Sequence, residues 1–326
     1  MPEQLSLFGD ENTLFNTGVQ QLFEMDFGGC VETLTRYFKL FPWGREPGKE
    51  ISISEFWLEN LGSGNRAEID SAEAERRYFL WLEFEEAFGH PWPENSIERS
   101  FQARYFSRIV DELLAEGGHV GATKLPGGTP PGLIFLLAGR ADPAIASLQA
   151  LIAAEPGKAR VYGYLGDAYA LRGDLRTARV CYREAFAIGP DQVDIAHLYD
   201  SELRERLEAL DREKSVEDDP LGWFPVIAHL DGFFEPRIFR ELEELREWLK
   251  HYLELLKIYG RDEDNAHVPG LFYHAMVISD NAPIMKFIKK VDLIQVREKM
   301  KEWHPALFAR YMRELERIGS RPKRHP

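Results

Sequence analysis

The chain has 326 residues, 44% hydrophobic, 12% aromatic and 29% charged, the composition of a globular protein with a substantial core rather than a disordered one. Forty Lys and Arg against 54 Asp and Glu leave a formal charge of -14, which repels phosphate backbones and argues against direct nucleic-acid binding. Cys30 and Cys181 stand alone, so neither a disulfide framework nor a zinc site is expected, and both read as small apolar packing residues.

The start, MPEQLSLFGDEN, lacks the basic and apolar regions of a secretory signal. No apolar run approaches the roughly 18 residues a membrane span needs, so the expectation is a cytoplasmic protein without membrane partners. In chain order, apolar residues recur at helical spacing over 13–24 and 28–40, with Gly28-Gly29 between them as the expected break. Ser52-Ile53-Ser54-Glu55 is a capping box opening a short helix that Gly62 stops. A longer amphipathic helix is expected over 71–88, and Asn95-Ser96-Ile97-Glu98 opens another that runs to Gly117.

The Gly- and Pro-rich stretch 117–132 reads as a loop. Helical patterning resumes over 132–210, with 193–210 taken as one further helix. The acidic segment 213–220 is the expected linker to a C-terminal helical region, 221–320. There, spacings of three and four from Phe239 to Tyr259 predict a long helix over 236–259. Asp262 to Gly270 reads as a polar loop, and further helices are expected over 283–303 and 305–318. No sustained alternating pattern appears, so the expected fold class is all-α.

Residues 159–192 carry a repeat signature. Tyr162, Leu165, Gly166 and Tyr169 lie on a first helix; Ala178, Tyr182 and Ala185 lie on a second; Pro190 closes the unit. Gly166 and Ala178 are small where two antiparallel helices would cross, and Gly173-Asp174 makes the turn. This unit resembles a tetratricopeptide repeat, a helix pair of about 34 residues. An upstream copy, 125–158, aligns without gaps through Gly139, Ala144 and Pro156, its first helix cut short by Pro130-Pro131-Gly132. A third, 11–44, carries Gly18, Cys30 and Pro42 at the spacing of Gly166, Ala178 and Pro190.

The resemblance implies an α-α superhelix over 11–212 that binds a partner segment in a groove lined by first helices. It places Arg160, Gly163, Tyr164, Asp167 and Leu171 in that groove, with His197, Ser201 and Arg204 added by the next helix. The Lys and Asn set by which some members of the family clamp a carboxylate terminus is not present.

Within the N-terminal peptide 1–10, Gln4-Leu5-Ser6-Leu7-Phe8 resembles the pentapeptide by which bacterial replication and repair proteins dock on the DNA polymerase sliding clamp. Leu7 and Phe8 would fill an apolar pocket, Leu5 would pack beside them, and Gln4 would hydrogen-bond at a separate subsite. The resemblance implies an accessory factor carried on the clamp.

Catalytic signatures do not emerge. Gly121-Ala122-Thr123-Lys124 has the wrong order for a phosphate-binding loop. The nine His show no paired metal spacing, although His267 and His274 lie near Asp262, Glu263 and Asp264. The expectation is a non-enzymatic scaffold without metal or cofactor. The two alternatives are the clamp-tethered factor and an enzyme or ligand-binding protein with a pocket between the array and the C-terminal helices.

Overall fold

A computed structural model describes the chain apart from residues 1, 62–68, 94, 116–123, 211–215, 217, 260–266, 289–290 and 320–326; for 2–10, 115, 259, 318 and 319 it describes the backbone alone. The described residues form sixteen α-helices and two short 3-10 turns, with no strand among them. None of the helices is long and apolar enough to cross a membrane. The chain divides into two compact units, Met1–Pro156 and Gly157–Pro326.

The first unit holds α1 (Pro2–Phe23), α2 (Phe27–Leu40), α3 (Gly48–Leu61), α4 (Ser71–Ala87), α5 (Ile97–Ala115), α6 (Pro131–Leu137) and α7 (Ala141–Ala154). Its core is aromatic. Trp57 and Trp81 stack at 5.9 Å, and Tyr105 lies 4.6 Å from Trp57 with its hydroxyl donated to the Arg77 carbonyl. Glu75 of α4 is buried, and its carboxylate accepts the backbone N–H groups of Gly127 and Thr129, tying down the turn that leads into α6. Burial raises the Glu75 pKa, but the donated hydrogen bonds outweigh it and hold the group below the usual carboxylate range.

The second unit holds α8 (Ala159–Leu171), α9 (Leu175–Ile188), the 3-10 turns Pro190–Gln192 and Ile195–His197, α10 (Ser201–Leu210), α11 (Pro220–Leu230), α12 (Leu242–Tyr259), α13 (Val268–Asp280), α14 (Ala282–Met285), α15 (Leu293–Trp303) and α16 (Pro305–Gly319). Helix α13 lies at its centre, against α11, α12 and α15.

Three helix pairs, α1/α2, α6/α7 and α8/α9, share one crossing. A methyl group on Gly166 would lie 2.6 Å from the Tyr182 ring; on Gly132 it would lie 2.6 Å from Leu148, and on Gly18 2.5 Å from Leu34. Each glycine meets the residue sixteen positions on. The turns between helices repeat as well. Gly139 and Gly173 take φ of +73° and +86°, and Met25 takes φ 62° at the matching place in the first pair. Asp26 and Asp174 then cap the second helices, each accepting the N–H three residues ahead.

Several boundaries depart from expectation, each for a local reason. The break before α2 falls at Met25-Asp26, because the Asp26 cap leaves Gly28 and Gly29 inside the first turn. The expected helix over 193–210 divides into the 3-10 turn Ile195–His197 and α10, whose N-terminus is capped by the buried Asp200. Helix α11, which follows the acidic stretch expected as a linker, packs on α9 within the second unit. The long helix expected from 236 begins at Leu242. Asn281 holds the preceding chain extended, accepting the Phe239 N–H at 2.9 Å and donating to the Arg237 carbonyl at 2.8 Å.

Helices α11 and α13 were not expected. Both are apolar on nearly every side, so they carry no period by which a buried helix can be told from a loop. The expected 283–303 helix is interrupted: α14 ends at Met285, and Asp292 caps α15.

The shared crossing makes a direct prediction. Gly166→Ala and Gly132→Ala should each lower stability by about 1–3 kcal/mol through overpacking. Gly28→Ala, where a methyl meets nothing within 4 Å, should be neutral or stabilise by up to about 1 kcal/mol. Urea unfolding midpoints of the three variants check this, and equal effects at all three positions would refute the close-crossing account.

Candidate functional site

The groove expected on α8 is filled by the protein's own chain. After Pro190 the backbone folds back along α8, so a methyl on Gly163 would rest 3.7 Å from Val193. The Tyr164 hydroxyl donates to Asp194 at 3.4 Å, and the Arg160 Nε donates to the Gln192 carbonyl at 3.5 Å. Asp167 is 1% exposed; one of its oxygens accepts both the Tyr182 hydroxyl, at 2.6 Å, and the Tyr199 N–H, at 2.9 Å.

Tyr164 and Asp167 are therefore core residues and not a binding surface. Their positions belong to a groove only when a separate partner fills it, and here residues 193–199 do so. Leu171, His197 and Arg204 are half-buried, while Arg160 and Ser201 are exposed. His197 sits in a 3-10 turn with Nε2 4.0 Å from an Asp194 oxygen, so the eight residues do not share one open face. Residues 4–8 fall in the first turns of α1; the side chains of Gln4, Leu5, Leu7 and Phe8 lie outside those described.

A different site appears in the second unit, where the end of α9 and the Pro190–Gln192 turn meet α11, α12 and α13 around a cavity of about 370 Å³. His251, His267 and His274 line it, with Asp191 and Asp219 among its acidic residues. The imidazoles ring the cavity and do not bring their nitrogens within reach of one metal ion. Asp262, Glu263 and Asp264, which the sequence sets beside two of these histidines, lie outside the described residues.

His274 is the best-determined member. It is 3% exposed, and its ring stacks on Trp248 with centroids 4.3 Å apart and planes 18° from parallel. Behind Trp248 stands the Arg237 guanidinium, 4.6 Å from the indole, which is paired with Glu184 of α9. The His251 ring lies 5.0 Å away. Nδ1 of His274 is 2.8 Å from the Gly270 carbonyl. A carbonyl can only accept, so Nδ1 carries the proton and Nε2 of the neutral ring is an acceptor. Burial pushes His274 down to about 4, and the nearby His251 and Arg237 push the same way, so the neutral form persists at pH 7. Nε2 has no hydrogen-bond partner among the described residues.

Two helices begin at this cavity and differ in charge. Asp219 caps α11, its carboxylate accepting the Gly222 N–H at 3.0 Å. Helix α13 opens at His267 with no side-chain cap and no acidic residue in its first turn. Its positive end is thus left uncompensated by the described residues of the helix itself. Apolar surface from Phe186, Leu221, Leu255 and Tyr273 completes the lining.

The sequence could not assemble this site, whose residues come from four stretches between 186 and 274.

Two further buried groups shape the unit. His229, Asp280 and Tyr311 join α11, α13 and α16, with His229 Nε2 3.3 Å from an Asp280 oxygen and the Tyr311 hydroxyl donated to the other at 2.8 Å. Burial raises Asp280 to about 6 and lowers His229 to about 4. Asp167 is pushed up to about 7 by burial, against the lowering effect of its two donors. Its folded pKa exceeds the ordinary 3.8, so its contribution to stability is present in full below pH 3.8 and is lost as pH rises through about 7. Asp167→Asn keeps an oxygen for both donors and removes the charge. The variant should exceed the parent in stability by an order of 2 kcal/mol at pH 8 and match it at pH 4, measured by urea unfolding. A gap that widens toward acid would contradict the assignment. No family model, no curated protein and no solved structure matches this chain.

Proposed function

We propose that this chain is a binding protein whose ligand site is the histidine-lined cavity of its second unit, with the helix pairs as the framework that positions it. The observation that carries this reading is the Nε2 acceptor of His274, in a side chain 3% exposed that lines the cavity and has no partner there. A ligand that supplies a donor to this nitrogen satisfies it in place of solvent. A volume of about 370 Å³ falls in the range of roughly 300–1,000 Å³ for small-molecule sites, whose linings combine apolar walls with a few fixed polar groups.

The groove reading is the weaker one, because residues 193–199 fill the face of α8 on which an extended peptide would lie. The wider apolar trough of about 880 Å³ along α12 is also weaker. Its polar members, such as Lys250, Glu254 and Lys257, belong to the outer face of the helix and do not converge on a ligand.

Thermal unfolding of the intact protein with a panel of small polar metabolites tests this proposal. A ligand at about 100 times its Kd adds roughly 2.7 kcal/mol and raises the melting temperature by a few degrees. The rise should vanish in His274→Phe, which keeps a ring against Trp248 and removes the acceptor. Shifts that survive this substitution, or none with any compound, would overturn the assignment.

A further inference from the structure

Burial sets the two ends of the cavity apart. His274 is 3% exposed and lies at its inner end, whereas Asp191 and Asp219, which also line it, are exposed and stand at its mouth. At the inner end Nε2 of His274 accepts a hydrogen bond, because the Gly270 carbonyl holds the proton on Nδ1. That end disfavours positive charge. It is buried, and the Arg237 guanidinium lies 4.6 Å from the Trp248 indole on which His274 stacks. Burial and that guanidinium also keep the imidazole itself neutral. A donor directed at Nε2 is therefore an uncharged O–H or N–H. The mouth has the opposite character. Among the described residues the Asp191 carboxylate has no hydrogen-bond or ion-pair partner, and the Asp219 carboxylate accepts only the Gly222 N–H. The described residues that line the cavity include no Lys or Arg. Two carboxylates on one opening, with no cation between them, attract a positive group.

Resting on the reading of this cavity as the binding site, we propose that it takes a small amine with an uncharged donor at its other end. A hydroxyl or N–H is directed inward to His274, apolar carbon lies against Phe186, Leu221, Leu255 and Tyr273, and an ammonium stands at Asp191 and Asp219. A volume of about 370 Å³ is near the small end of ligand sites and suits one ring or a short chain. Hydroxyaryl alkylamines and aliphatic amino alcohols share this chemistry, differing in whether the spacer is a ring or a chain.

Two sets of probes separate these contacts on the intact chain: tyramine, phenethylamine and ethylphenol, and aminohexanol, hexylamine and hexanol. Each set holds a compound with both groups, one without the hydroxyl and one without the ammonium. Binding is followed by calorimetry and by the ring nitrogen signals of His274, and the tighter set identifies the spacer. Within it the complete compound should exceed the one without a hydroxyl about fivefold, the worth of one hydrogen bond. It should exceed the one without an ammonium about threefold at low salt, a modest factor because the carboxylates are exposed. In His274→Phe the first preference should collapse and the second persist. In the double variant Asp191→Asn, Asp219→Asn, which keeps the α11 cap, the second should collapse and the first persist. Both of those positions are exposed, so folding is left intact. If a compound lacking either group matches the complete one, or both preferences survive these changes, the proposed class is wrong. If none of the probes binds while another compound gives a His274-dependent thermal shift, the class falls and the binding site stands. If no compound does so, both fall.

Discussion

The second unit depends on the close approach of α8 to α9 at Gly166. With no side chain at that point, the Tyr182 ring lies directly on the α8 backbone, and its hydroxyl reaches Asp167 on the next residue. That hydrogen bond fixes which way Asp167 faces, and the same carboxyl oxygen then captures the Tyr199 N–H. The chain after α9 is thereby bound back onto α8. On its other side α9 turns Phe186 toward Phe224 of α11, with ring centroids 4.8 Å apart. One crossing thus orients both faces of the pair, one filled by the following turn and the other by the C-terminal helices.

Charge is used inside this unit as connection. Asp200 caps α10 and accepts from Arg179, and the guanidinium groups of Arg179 and Arg206 lie 4.4 Å and 4.6 Å from the Phe233 ring. Glu184 is paired with both Arg183 and Arg237, and the second of these covers Trp248, which in turn lies against His274. Exposed ion pairs contribute little, but these guanidiniums are packed against rings and cannot turn away. The result is a continuous path of contacts from α9 to the imidazole in the cavity. The orientation of His274 is set by that path together with the Gly270 carbonyl, and not by the helix alone.

What could be read from the sequence follows from how local the physics is. The register of Gly166, Ala178 and Tyr182 was legible because a close crossing needs a small residue opposite a large one at a fixed spacing. The same spacing located Gly18; in the upstream pair it located Gly139, Ala144 and Pro156, while Gly132, read as part of the break that cuts the first helix short, proves to be the close-contact residue of a helix of only seven residues, Pro131–Leu137. Helices α11 and α13 were not legible, because a helix buried on all sides shows no amphipathic period. The split of 193–210 was hidden for another reason: Asp167, which reads as a groove residue, and Asp200 are buried acceptors for backbone N–H groups. Met25 shows the limit in miniature. It takes the left-handed conformation that its counterparts Gly139 and Gly173 adopt freely, and nothing in its side chain announces that.

The face of α8 is closed for one structural reason. A helix pair of this type offers the concave face of its first helix to whatever chain comes next, and an open array leaves that place to a partner. Here the next chain is residues 193–199, held by Asp167, so that face of α8 is internal packing. The turn that closes the groove is also the turn that builds the cavity. Pro190–Gln192 stops α9, starts the return along α8, and contributes its own residues to the wall opposite His274. A pair that kept its groove open would carry the chain beyond Pro190 in another direction and would lose that wall. The closed groove and the enclosed imidazole are two consequences of a single bend in the backbone.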